Sequence, residues 1–277
     1  PFCALSMGLI KARKFSYVLS LILALASIAS LAVYGLKLGI DFTGGTLIEA
    51  EFRQARPELA QISERISALD LGNIFLQPIG ASGFSIRTRE LSAEESQRII
   101  AALSEFGEVR DFNVNTIGPT IGQELRQRSV WAIILVLLAI VLYIAWAFRK
   151  VSKPVSSWFY GLFAIVALLH DILIPLGVFS LLGKFKGVEV DTLFVVATLT
   201  ILGLSVSDTI VIFDRIRENI FHTNSKESFS EVVGKSLDQS YMRSIFTSLT
   251  VIIVLLSLFL FGPESTKYFA LMLTAGM

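Results

Sequence analysis

From Val190 to Asn219 the chain reads VDTLFVVATLTILGLSVSDTIVIFDRIREN. The first two-thirds of that stretch is apolar enough to cross a bilayer, yet it holds Asp208. About seven residues separate Asp208 from Arg215, the first basic residue, so a rise of ~1.5 Å per residue sets the carboxyl roughly 10 Å inside that end. A charged aspartate at such depth costs about 2.5–3.5 kcal/mol on insertion scales, which predicts that it faces a bundle interior. Thr198, Ser205, Asp208, Ile212 and Arg215 share one helical face, a mildly polar stripe. Two roles fit: a polar residue that packs helices together, or a carboxylate that handles protons or ions.

Composition sets the class. Of 277 residues, 53% are hydrophobic and 17% charged, with a mean hydropathy of +0.68, too apolar for a soluble domain. The net charge of +1 gives no footprint for nucleic acid. A single cysteine, Cys3, excludes an intrachain disulfide. His170 and His222 are the only histidines, with no HExxH, so no zinc site and no cofactor is expected. The chain reads as an integral membrane protein and not as an enzyme.

Lys11, Arg13 and Lys14 precede an apolar run from about Phe15 to Leu36, read as an uncleaved first helix because no small-residue cleavage motif clearly follows. Residues 1–36 thus form a cytoplasmic amino terminus and first span. Residues 37–128 hold about half of the charged residues and alternate like a small soluble domain. Ile48, Ala50 and Phe52 alternate with Glu49, Glu51 and Arg53 as a half-buried strand. Pro57 opens a helix carrying Leu59, Ile62, Ile66 and Leu69. Strands are predicted at 73–77 and 84–88, separated by Pro78, Gly80 and Gly83. Ser92 and Glu95 form a capping box for a helix with Ile99, Leu103 and Phe106, ended by Gly107, and a last strand runs over 110–116. The order β-α-β-β-α-β predicts a ferredoxin-like α+β domain.

Gly118-Pro119 breaks the chain before a helical bundle over residues 129–277. Its spans are predicted at 129–148, 155–182, 190–212 and 240–261, and the one over 155–182 is long enough to need tilt or a bend near Pro175. A loop over about 215–239 separates the fourth and fifth spans. A sixth apolar segment starts near residue 266 and is too short to cross, so the sixth helix reads as incomplete in this chain. Lysines and arginines crowd the amino terminus and the loops after the second and fourth spans, which places those on the cytoplasmic side and residues 37–128 outside.

Arg243 begins the fifth span and shares a face with Thr247, Thr250 and Ser257. It either partners Asp208 from an antiparallel neighbour or snorkels to the interface. Pairing would keep Asp208 ionised and desolvation would favour its neutral form, so switching between the two loads and releases a proton. His170-Asp171, mid-run in the third span, is either a proton relay or a satisfied hydrogen-bonded pair. The DFTGG stretch, Asp41 to Gly45, offers no chemistry by spacing, and Gly44 and Gly45 are expected to make a turn.

These blocks carry a resemblance. GIDFTGGTLIEAEF from Gly39, GPTIGQEL from Gly118, the His-Asp pair in AIVALLHDILIPLG, GLSVSDTIVIFDRIREN from Gly203 and RSIFTSLT from Arg243 together resemble SecF proteins. Those are accessory membrane subunits of the bacterial Sec export machinery, related to proton-driven exporters of the resistance-nodulation-division type. The resemblance covers nearly the whole chain. It implies six spans with one periplasmic domain after the first, in the cytoplasmic (inner) membrane of a bacterium. It also implies SecD as partner, work beside the SecYEG translocon with YajC and YidC as further associates, and a translocating preprotein as client. The proton gradient would be the energy source, with Asp208 and Arg243 at the positions of the family's proton-coupling pair. His170, Asp171, Ser205 and Thr247 would complete a polar network, and Asp41, Gly44 and Gly45 fall on a family motif where the first span meets the periplasmic domain. Ser207 stands where SecF proteins commonly have Asn, and Ser244 where Thr is usual.

Three rivals remain on residues alone. One is half of a self-sufficient exporter of drugs or lipids, and another is a scaffold for SecD, in which Asp208→Asn would keep activity. The third, an intramembrane aspartyl protease built on Asp171 and Asp208, lacks the GxGD signature, since Asp208 sits in SVSD.

Overall fold

The computed structural model describes residues 3–53, 56–80, 82–148, 157–222 and 228–277. In chain order its elements are α1 (Cys3–Tyr34), α2 (Ile40–Thr43), β1 (Gly45–Phe52), α3 (Leu59–Ser67), β2 (Phe75–Ile79), β3 (Gly83–Thr88) and α4 (Ala93–Ser104). There follow β4 (Val109–Ile117), α5 (Pro119–Ala147), α6 (Ser157–Lys186), α7 (Thr192–His222), α8 (Phe229–Phe261) and α9 (Glu264–Gly276). A sheet unit holds Lys37–Trp131 with Gly187–Thr192, and a helical unit holds Pro1–Leu36, Ala132–Lys186 and Leu193–Met277.

In the sheet unit, period-two alternation becomes one buried face. The strands are all antiparallel in the order β2-β3-β1-β4, with Ile48 opposite Ile86 and Val114, and Ala50 opposite Phe84 and Phe112. Ile48, Phe84 and Ile86 are fully buried, and Ile62 and Ile66 of α3 with Ile99 and Leu103 of α4 cover them. The expected capping box forms: Glu95 N–H donates to Ser92 Oγ, and Ser92 N–H to Glu95 Oε2. Pro57 does not open α3, whose N-cap is Glu58. Pro78 lies inside β2 and not in a break between strands. It is tolerated because β2 pairs only with β3, so an edge strand loses no ladder bond it needs. Gly118-Pro119 is likewise no break: Pro119 is the first residue of α5, where its missing N–H would go unused in any case. The helix predicted from residue 129 therefore begins ten residues earlier, in the sheet unit.

Among the described residues, five helices are long and apolar enough to cross a membrane: Lys14–Tyr34 within α1, most of α6, and α5, α7 and α8. α1 packs along α6 through small residues. A Cβ on Gly177 would lie 2.4 Å from Ser27 Cβ, so only glycine lets the two helices meet there. Ser30 Oγ donates to Gly177 O at 3.3 Å and Ser180 Oγ to Ser30 O at 3.0 Å, joining the same pair. Leu168, Ile172 and Leu202 form a core between α6 and α7, with Val136 and Ile140 of α5 against it. α6 runs through Pro175 as one helix. Most of the predicted 215–239 loop is helix, because α7 continues to His222 and α8 starts at Phe229 behind a Ser228–Glu231 capping box. Arg215 Nε donates to Gln239 Oε1 at 2.7 Å and Asn219 Nδ2 to Ser236 Oγ at 2.8 Å, fastening the two extensions together. The orientation expected from basic loops rests in part on Arg149, Lys150 and Lys153 after the second span and Lys226 after the fourth, which lie outside the described residues.

Candidate functional site

Four polar residues from three helices meet in the helical unit. Ser20 Oγ of α1 lies 2.5 Å from His170 Nε2 of α6, and His170 Nδ1 is 3.1 Å from Asp171 Oδ1. Ser205 Oγ of α7 donates to Asp171 Oδ2 at 2.5 Å. A hydrogen-bonded chain therefore runs from α1 through α6 to α7, and Ser205 stands one turn from Asp208 on the same helix. Such a chain of hydrogen bonds orients each member for the next.

Asp208 opens onto a cavity of about 270 Å³ that also takes in Asp171, Ser205, Thr209, Ser244 and Ser248. That volume holds several waters. The Ser244 hydroxyl is the near hydrogen-bonding neighbour of the Asp208 carboxyl, and the Arg243 guanidinium acts on it electrostatically. Among the described residues, Asp208 and Arg243 are not in direct ion-pair contact. Asp208 thus shares one polar cavity with a second carboxyl, Asp171, and with hydroxyls from α7 and α8.

The sequence prediction for α8 is corrected by one residue. Thr247 and Thr250 are exposed, and Thr247 Oγ1 donates to the Arg243 carbonyl of its own helix at 2.9 Å. The inward face carries Ser244, Ser248 and Leu255. Neighbouring positions on a helix differ by about 100°, so Ser244 and Ser248 line the cavity while Thr247 and Thr250 do not. Sequence reasoning missed Ser20, Thr209 and Ser248, and noted Ser244 only as a departure from the family's usual Thr. Ser244–Ser248 at a spacing of one turn was the available signal, hidden by the adjacent polar stripe.

Asp171 and Asp208 line the same cavity but have separate partners: His170 and Ser205 for the first, Ser244 and Arg243 for the second. A protease dyad requires two carboxyls sharing one proton, and this arrangement does not provide it.

Asp41, Gly44 and Gly45 belong to the sheet unit. Gly44 has φ +74° and Gly45 φ +129°, a region that L side chains rarely adopt. A Cβ on Gly44 would also fall 2.6 Å from Pro119 Cα, and one on Gly45 2.5 Å from Thr88 O. The turn expected of these glycines is also a point of close approach between α2, β3 and the start of α5. Asp41 has a role that spacing did not give: its Oδ2 accepts from Thr192 N–H at 2.8 Å and from Thr192 Oγ1 at 2.6 Å.

Comparison with known proteins bears on this geometry. Residues 98–277 match the family model for protein export membrane protein SecD/SecF, C-terminal, and residues 29–55 match the SecD/SecF GG motif. The protein translocase subunit SecF of Thermobaculum terrenum is 40% identical over 98% of this chain and 88% of its own length. SecF of Synechocystis is 36% identical over 98% of this chain and 89% of the relative. The chain belongs to the SecD/SecF family. Among solved structures, SecDF from Thermus, described as a translocon-associated membrane protein, is similar at 29% identity with a TM-score of 0.82. That match covers 96% of this chain and 35% of the SecDF chain, so this chain spans about a third of it. In this SecD/SecF-family chain the first matched segment takes in Asp41, Gly44 and Gly45, and the second takes in Asp171, Asp208 and Arg243.

Proposed function

We propose that this chain is a SecF-type subunit of the Sec protein-export machinery and uses proton movement at Asp208 to assist preprotein translocation. The observation that carries the reading is Asp208 facing a polar cavity shared with Asp171, Ser205 and Ser244, with Arg243 near it. A buried acid can take a proton when the cavity is dry and give it up when the arginine closes on it. Moving one charge across 100 mV supplies ~2.3 kcal/mol, enough to bias such a two-state element. The Ser20–His170–Asp171–Ser205 chain offers a way for the proton to reach or leave the cavity.

The finer architecture follows the same reading. The antiparallel order β2-β3-β1-β4 with α3 and α4 on one face is the arrangement of a ferredoxin-like domain, set on the periplasmic side of a bacterial inner membrane. α9, packed against α6 and α8, takes the place of the sixth membrane element. SecD is the expected partner, with SecYEG, YajC and YidC around it and the preprotein as client. Neither nucleic acid nor a cofactor enters the scheme.

The test is Asp208→Asn, produced together with SecD in the membrane. The variant should assemble normally while proton-gradient-dependent export falls by about 10²-fold, the scale of losing an essential proton-transfer group. Full export under an imposed gradient would overturn the reading in favour of a scaffold.

A further inference from the structure

The stretch DRIREN, Asp214 to Asn219, lies toward the end of α7 and takes no part in lining the cavity. Its polar side chains fall into two sets. Asp214 and Glu218 pair within the helix: Arg217 Nη2 lies 2.5 Å from Asp214 Oδ1, and Arg215 Nη1 2.6 Å from Glu218 Oε2. Arg215 and Asn219 also reach across to α8. Gln239 Oε1 accepts from Arg215 Nε at 2.7 Å and from Asn219 Nδ2 at 2.9 Å. Ser236 Oγ accepts from Asn219 Nδ2 at 2.8 Å. Val232, Ser236 and Ser240 follow one another at one-turn spacing on α8 and are buried, as is Ile216 of α7. A slip of either helix would break these bonds, and a buried hydroxyl such as that of Ser236 makes the loss costly.

These contacts fix a register. Arg215 meets Gln239, and Asn219, one turn further along α7, meets Ser236, so the two helices run antiparallel. Carried toward the cavity at ~1.5 Å per residue, the register sets Asp208 roughly 10 Å from Arg215 and about level with residues 246–247 of α8. Asp208 thus falls between Ser244 and Ser248, and both line its cavity. Arg243 falls about level with residues 211–212, roughly one turn nearer the Arg215–Gln239 contact. Among the described residues, Asp208 and Arg243 make no direct ion pair, as that offset requires.

We infer that Arg215 and Asn219 are positioning residues that clamp α7 to α8, setting Asp208 against the Ser244 and Ser248 hydroxyls and Arg243 one turn away. This rests on the function proposed above, in which the distance from carboxyl to arginine governs when the proton is held. Neither residue touches the proton. They act through the level at which two helices meet.

The experiment uses the full chain produced with SecD in proteoliposomes and reads helix register separately from export. Register is read with Thr209→Cys and Ser248→Cys, two cavity positions on α7 and α8, in a Cys3→Ser background. A short bis-methanethiosulfonate should bridge them, and adding Asn219→Ala should lose most of that product. Asn219→Ala alone should lower export by about tenfold, the scale of two hydrogen bonds, and Arg215→Ala by less. The pH of half-maximal export should also move by about one unit, because the distance from Asp208 to Arg243 has changed. Loss of folding alone would lower the maximum at an unchanged pH. With Asn219→Cys, Ser236→Cys and Cys3→Ser, the same reagent should rebuild the clamp and restore export, and a reductant should reverse it. Full export by Asn219→Ala, an undiminished Thr209–Ser248 bridge, an unmoved pH profile or no rescue would each overturn the inference. Full export by Asp208→Asn would instead sink the proton reading, and the bridging yield would still decide the register.

Discussion

Ile86 on β3 and Leu138 on α5 are both aliphatic residues in regular elements, yet Ile86 is fully buried and Leu138 is 53% exposed. In the sheet unit this follows the rule for water: apolar side chains inside, and charges such as Arg65–Glu105 and Arg89–Glu95 paired on the surface. In the helical unit, large apolar side chains such as Leu25, Leu135, Leu142 and Val254 are turned outward, while Ser20, His170, Asp171 and Ser205 turn toward one another. Burying a leucine among helices in lipid gains little, since lipid tails are as apolar as the interior. The helices are instead located by small residues, as at Gly177 and Ser27, and by hydrogen bonds between polar groups. The same residue type thus reports opposite things in the two units.

The contrast can be broken most directly by truncation. Ile86→Ala should destabilise the sheet unit by about 2–5 kcal/mol, whereas Leu138→Ala should change stability by no more than about 0.5 kcal/mol. Hydrogen exchange resolved by unit would measure both, and equal losses would refute the division. A smaller effect is expected from one polar contact inside the bundle. Ser205→Ala removes the donor to Asp171 Oδ2 and should reduce proton-gradient-driven export by about fivefold, the scale of one hydrogen bond. An unchanged rate would mean that the chain through His170 and Asp171 is structural.

The smallest effect belongs to the surface of the sheet unit. Hydrogen bonds from Arg89, with help from the Ser92 backbone, hold Glu95 down from 4.5 to about 2. A depressed carboxylate contributes stability that is complete above 4.5 and fades as the pH falls toward 2. Melting followed through that window should show a shallower acid loss in Glu95→Gln than in the parent. Because solvent reaches the Arg89–Glu95 pair and screens it, the difference should be slight.

Much of the sheet unit was legible beforehand. Alternation at Ile48–Phe52, the apolar positions of α3 and α4 and the Ser92–Glu95 cap all involve residues close in sequence whose periodicity is set by backbone geometry. The errors fell where neighbours decide. Pro78 reads as a breaker until β2 is known to be an edge strand, and Pro119 reads as a stop until α5 is seen to start on it. At the candidate site the sequence singled out Asp208, because a carboxylate in an apolar run needs a reason. On α8 it singled out Arg243 and Thr247, whereas the cavity lining takes Ser244 and Ser248, a second polar stripe one position along.

By itself the sequence determined a membrane protein with a charged insert after its first apolar helix, an acid deep in one apolar run, and the strand and helix periods of the insert. Those properties are local: they follow from hydropathy and from the 3.6- and 2-residue repeats of the backbone. Only the tertiary structure decided that Asp171 joins Asp208 at one cavity, that Ser244 and not Thr247 faces it, and that Asp41 caps α7 from 151 residues away. Among apolar helices no burial signal marks which faces meet, and a carboxylate can cap whatever helix end the fold brings to it.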